Sequence, residues 1–163
     1  FPAGHVLQVQ STTKTGVVSI ADSTVDSPQD ITGMSVSITP KTTTSQFFVT
    51  FTANIGGAAG DNILLTLVRN STNIGVGVDN SGTVCSTETD RFSNYSKYSV
   101  NCVTFSFLDD PSLSDLSAIT YKLKWTRTYS GAGSAFLNKS GDRAAESDRA
   151  DTASTITVIE IAG

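Results

Sequence analysis

Tyr121-Lys122-Leu123-Lys124-Trp125 alternates large apolar side chains with lysines, and a period of two places the apolar set on one face of an extended strand. The same alternation returns in Met34-Ser35-Val36-Ser37-Ile38, in Val103-Thr104-Phe105-Ser106-Phe107 and in Thr155-Ile156-Thr157-Val158. Recurrence of this period in run after run predicts an all-β scaffold. The stretches between them are rich in Ser, Thr, Asn and Gly, which suit adaptable hydrogen bonding better than chemistry.

Working outward, further strands are expected at Val6–Gln10, Val17–Ile20, Phe47–Ile55, Ile63–Arg69, Ile74–Val78, Ala135–Asn138 and Ser154–Ile161. Ser11-Thr12-Thr13-Lys14 reads as a polar turn, Asp26-Ser27-Pro28-Gln29-Asp30 as a breaker cluster, and Asn70-Ser71-Thr72-Asn73 as a hairpin turn. Ser130-Gly131-Ala132-Gly133 reads as a further turn, and Ser112–Ser117 as a connection of about one helical turn. Eight to ten short strands separated by turn signals predict an antiparallel β-sandwich with a jelly-roll-like winding. With 163 residues the chain reads as one domain over 1–163, its first ten residues serving as a linker or a pairing strand.

Charge narrows the function. Only 16% of the residues are charged, against roughly a quarter in an average domain. The surface is therefore expected to be neutral and hydroxyl-rich, as on a durable virion or extracellular protein or one that hides area in an oligomer. A net charge of −4 and no clustered Lys and Arg speak against nucleic acid as a partner. Lys122, Lys124 and Arg127 read as a solvated strand face. No apolar run approaches the roughly 20 residues of a membrane span, so no membrane insertion is expected.

Candidate chemistry is sparse, and the reading is that the chain is not an enzyme. His5, the only histidine, lies near the N-terminus, far from an evident serine nucleophile and partner acid. Asp109 and Asp110 are adjacent, so on extended backbone they face opposite ways, unlike a glycosidase pair. The acids between Gly141 and Thr152 lack calcium-loop spacing and are expected to pair with Arg143 and Arg149, so neither a metal nor a cofactor is expected. Cys85 and Cys102 leave two readings open: a disulfide across the intervening loop, or a small buried hydrophobe at Cys102. Sequons at Asn70, Asn94 and Asn138 are as expected of a chain so rich in Ser, Thr and Asn.

Asp79–Ser99 stands out as long, polar and aromatic, and Arg91, Phe92, Asn94, Tyr95 and Tyr98 are the candidate contact residues within it. Its aromatics suit stacking on sugar rings or a protein hot spot; alternatively they pin the loop to the sheet.

The order of motifs adds a resemblance. Gly4-His5-Val6-Leu7-Gln8-Val9, Thr32-Gly33-Met34-Ser35-Val36-Ser37-Ile38-Thr39-Pro40, Leu67-Val68-Arg69-Asn70 with Ile74-Gly75, Ser106-Phe107-Leu108-Asp109-Asp110-Pro111, Thr120-Tyr121-Lys122-Leu123 and Ala153-Ser154-Thr155-Ile156-Thr157-Val158-Ile159-Glu160-Ile161 follow one another over essentially the whole chain. In that order they resemble the C-terminal head domains of tail fibres and other virion appendages of marine and cyanobacterial bacteriophages. The resemblance implies a homotrimeric knob like tumour-necrosis-factor or complement-type heads, carried on the virion and outside the cell. It implies contact with other virion proteins and non-covalent adhesion to a bacterial surface glycan or outer-membrane protein. The alternative it leaves open is a capsid-bound head fibre or decoration protein with a structural role. It brings no catalytic residue.

Overall fold

The computed structural model describes residues 2–20, 27–78, 84–92, 98–128, 134–141 and 151–163. Eleven strands run in chain order: β1 (Val6–Lys14), β2 (Val18–Ile20), β3 (Gln29–Ile38), β4 (Gln46–Gly56), β5 (Ile63–Arg69), β6 (Thr72–Ile74), β7 (Thr87–Glu88), β8 (Asn101–Asp109), β9 (Ile119–Arg127), β10 (Ala135–Leu137) and β11 (Ser154–Ile161). All their pairings are antiparallel. One sheet runs β1-β11-β4-β8, with β10 and β2 continuing from the far end of β4; the other runs β3-β9-β5, with β6 and β7 both on β5.

The long strands β3, β4, β5, β8, β9 and β11 fall in alternate sheets, so the chain crosses the sandwich at each step. That is the winding of a jelly roll, and the all-β sandwich predicted from the alternating runs is the fold found. Parity explains the core. In β4 the odd positions from Phe47 to Ile55 are buried, and in β11 the even positions from Ser154 to Glu160 are. Phe47 of one sheet meets Tyr121 of the other with ring centroids 6.0 Å apart, and Trp125 lies fully inside.

Several local expectations are corrected. Ser11–Lys14 is not a turn: β1 runs on through it, from Ser11 opposite Thr157 to Lys14 opposite Ser154, because β11 offers a ladder long enough to override polar turn formers. Residues 6–10 are thus part of a pairing strand. Gln29 and Asp30 likewise join β3, opposite Trp125 and Lys124. The β5–β6 hairpin turns on Asn70-Ser71 alone, with Asn70 at φ 54°, and β6 ends at Ile74 rather than Val78. No helical turn forms between Ser112 and Ser117. Arg127 is out of phase with Lys122 and Lys124 by one residue and points into the core rather than onto a solvated face.

The two outer faces differ in chemistry. On the β1-β11-β4-β8 sheet, register aligns Val9, Ile159, Phe48 and Leu108 into an apolar row crossing all four strands. Beside it run Ser11, Thr157, Thr50 and Ser106, then Thr13, Thr155, Thr52 and Thr104. Hydroxyls bond across the strands, Ser11 to Thr157 at 2.8 Å and Ser106 to Thr50 at 3.1 Å. No charge lies in these three rows. The opposite outer face carries Asp30, Lys122 and Lys124, with Lys122 Nζ 2.8 Å from Asp30 Oδ2.

Candidate contact surface

The segment singled out by composition lies at the sandwich edge where β5 meets β8, and its described part is more ordered than a free loop. Ser86 N–H donates to Leu65 O, and Thr89 N–H to Ile63 O. The Ser86 hydroxyl accepts from Leu67 N–H and donates to Ile74 O, while the Thr89 hydroxyl accepts from Ile63 N–H. These bonds place β7 against Leu64 and Leu65, a short strand that the loop-like composition of Asp79–Ser99 did not reveal.

Phe92 anchors the end of this stretch. Its ring is 2% exposed and part of the core, and its backbone clasps the preceding loop through Phe92 N–H to Asp61 O and Gly60 N–H to Phe92 O. The ring packs on Gly57 so closely that a Cβ there would lie 2.5 Å from it. As a receptor contact Phe92 is therefore withdrawn: it pins the segment to the sheet. Arg91 beside it is exposed, its Nε donating to Gly60 O, and Tyr98 is 39% exposed on the approach to β8. Asn94 and Tyr95 lie outside the described residues.

Beneath the clasp lies an ion pair absent from the sequence reading. Arg127 Nε donates to Asp61 Oδ2 at 2.6 Å, both side chains fully buried. It ties β9 to the loop that holds Phe92. The signal was the parity of Arg127, which it shares with Tyr121, Leu123 and Trp125.

Between β7 and β8 opens a polar groove of about 390 Å³. Glu88, Thr89 and Asp90 form one wall, and Val100 to Thr104, including Asn101 and Cys102, the other. Asn62 Nδ2 holds the Glu88 carboxylate at 2.8 Å, and Asn101 Nδ2 reaches across to Asp90 O at 3.5 Å. Two acids with no cation lining the described groove give it a negative, hydrogen-bonding interior. Cys85, nearby in sequence, has its thiol pushed up by burial and then by the Glu88 carboxylate, which leaves it a poor nucleophile at neutral pH.

The other candidate chemistry is tied into structure. Asp109 is buried, accepting from Tyr121 Oη at 2.7 Å and Arg69 Nη1 at 2.6 Å, while exposed Asp110 accepts from Gln46. The adjacent acids face opposite ways as expected, and the Tyr121 phenol is pushed far up by burial, then by its bond to Asp109 and that carboxylate's charge. His5 is exposed at the start of β1. Cys85 and Cys102 are both free thiols, and Cys102 is exposed on β8, so neither the disulfide nor the buried-hydrophobe reading holds. Asn138 is fully buried at φ 69°, its Nδ2 donating to Lys14 O and Gly16 O, which removes it as a glycan acceptor. Of the charged loop, 142–150 lies outside the described residues; the backbone of Asp151 pairs with that of Lys139 in an isolated antiparallel β-bridge. Among the described residues no three His, Cys, Asp or Glu cluster as a metal site, and no helix is long and apolar enough to cross a membrane.

No protein-family model matches the chain, and no curated protein matches it.

Proposed function

We propose that the chain is the head domain of a bacteriophage virion fibre, a homo-oligomer that adheres without covalent chemistry to a bacterial surface receptor, with a glycan the ligand best suited to the edge groove. The observation that carries this reading is the contrast between a framework whose internal charges are spent on its own structure and an open polar groove beside it. Asp61 and Asp109 are each committed to an arginine, whereas Glu88, Asp90 and Asn101 present oxygen acceptors and an amide to a cavity of about 390 Å³. Carboxylates and amides are the groups that bind sugar hydroxyls, and Tyr98, exposed two residues before the lining residue Val100, offers an aromatic side chain in the same segment. The motif order that resembles phage fibre heads supports the same assignment.

Millimolar binding at one groove becomes durable attachment when several heads engage one surface. The test is adsorption of the labelled, purified chain to host cells and to their extracted polysaccharide. Saturable binding, weakened about tenfold or more by Tyr98→Ala with unchanged circular dichroism, is the expected result. Binding that ignores Tyr98→Ala and Asn101→Ala alike removes the groove from the reading. Antibody labelling that places the chain on the capsid shell replaces adhesion with a decoration role, and shortening of the polysaccharide on incubation would show an enzyme.

A further inference from the structure

We infer that the groove between β7 and β8 is selective for glycans with free amino groups, seating the protonated amine between Glu88 and Asp90 and turning away glycans that carry carboxylates or phosphates. This rests on the proposed adhesion through the groove and names the class of sugar the groove takes.

Strand parity brings the two acids together. Thr89 N–H continues the β7 ladder onto Ile63 O, and residues two apart on such backbone share a side. Thr89 itself is buried, its hydroxyl accepting from Ile63 N–H, whereas Glu88 and Asp90 are both exposed and line the groove. Asn62 Nδ2 donates to Glu88 Oε2 at 2.8 Å, which orients that carboxylate and leaves Oε1 to a ligand.

Neither acid is matched from within the groove. Asp30, Asp61 and Asp109 each contact a cation, Lys122, Arg127 and Arg69 in turn. No Lys, Arg or His lines the described groove, and Arg91, next to Asp90 in sequence, gives its Nε to Gly60 O. Calcium takes roughly six to eight oxygen ligands. Among the described residues no third His, Cys, Asp or Glu joins the two carboxylates, so an organic cation fits the groove better than a metal ion.

Hydrogen bonding points the same way. Asn101 directs Nδ2 at Asp90 O, 3.5 Å away, which leaves its Oδ1 as a further acceptor beside the carboxylates. An ammonium brings only N–H donors to such a set, whereas a carboxylate or phosphate brings acceptors and a like charge. One exposed ion contact is worth little by itself. Selectivity is a difference of two affinities, and attraction for the amine adds to repulsion of the anion.

The experiment is calorimetric titration of the purified chain, in the presence of a chelator and at about pH 6, where carboxylates are ionised and amines protonated. The probes are a β-1,4-linked glucosamine oligomer with free amines, the same oligomer fully N-acetylated, and an oligogalacturonate. The free amine is expected to bind about tenfold or more tighter than its acetylated counterpart, and the uronate not at all. Glu88→Gln with Asp90→Asn should erase that preference, while Asp115→Asn, the same loss of charge on an exposed acid outside the groove, should keep it. Should the double variant not fold, Glu88→Gln alone serves, with a partial loss expected. Equal or tighter binding of the acetylated or acidic oligomer, abolished by Asn101→Ala, overturns the charge selectivity and leaves the glycan groove standing. Amine binding indifferent to both groove acids, binding that needs calcium in place of the chelator, or binding of none of the probes also overturns it. Adsorption to host cells that ignores Asn101→Ala is the separate result that removes the groove itself.

Discussion

Arg127 and Asp61 face each other at 2.6 Å with neither side chain reaching water, and the loop that carries Asp61 is the one that clasps Phe92. A buried pair of this kind offers little net stability over apolar residues of the same volume, but losing one member leaves an uncompensated charge. Arg127→Met is therefore expected to cost about 3–5 kcal/mol in urea unfolding, and Arg127→Met with Asp61→Leu markedly less. A double variant as unstable as the single one would show that the pair does not act as a unit.

Gly57 and Phe92 form the second joint of the same corner. The Phe92 ring occupies the space a Cβ on Gly57 would need, with two ring atoms at 2.5 Å. Gly57→Ala is expected to cost about 1–3 kcal/mol by overpacking, and Phe92→Ala about 3–5 kcal/mol by cavity formation. Because Phe92 anchors the segment that carries Glu88, Thr89 and Asp90, either change should also disturb the adsorption proposed for the groove. Thermal unfolding of both variants beside adsorption checks this; full adsorption by folded Phe92→Ala would place the contact elsewhere.

The scaffold was legible in the sequence because period two survives translation into a sheet. Ile63–Arg69 and Ser154–Ile161 emerge with the ends that alternation and turn residues mark. The same parity carried the buried charges: Arg127 shares a face with Trp125, and Glu160 shares one with Ile156 and Val158. Residue type obscured them, since a charged side chain suggests solvent. The groove was half legible. Composition pointed to Asp79–Ser99, but β7 exists only because β5 has an edge to offer, and such a pairing leaves no local trace. Ser11–Lys14 misled for the same reason, polar residues recruited by a long partner strand.

Glu160 gives the fold an acid-sensitive point. Burial alone would push its carboxyl up, but hydrogen bonds from the Ser45 hydroxyl, the Lys41 amide, the Gln8 side chain and the Thr42 amide outweigh it and hold the value below the ordinary one. A carboxyl depressed in the folded state contributes stability that is fully present above its unfolded value, about 4.3, and is lost as pH falls through the folded value. Wild type should thus lose stability relative to Glu160→Gln between about pH 4.3 and lower pH, while Glu160→Gln is the less stable protein at pH 7. Parallel pH curves for the two proteins would remove Glu160 from the account.

The two thiols differ in reactivity in a way that reports on the groove. Cys102 is exposed on β8 and forms part of one groove wall, whereas Cys85 is half-buried, its thiol raised by burial and then by Glu88. Since the thiolate is the reacting species, a maleimide at pH 7 should label Cys102 first and Cys85 slowly. Raising the pH should accelerate Cys85 disproportionately, and Glu88→Gln should speed it at neutral pH by removing the nearby negative charge. Because no disulfide joins them, added reductant should leave the unfolding midpoint unchanged. A ligand seated between Glu88 and Asn101 would cover the Cys102 wall, so saturating polysaccharide should protect Cys102 and spare the rate at Cys85. Peptide mapping after timed labelling reads both rates at once, and a Cys102 rate indifferent to polysaccharide that demonstrably binds would move the ligand out of the groove.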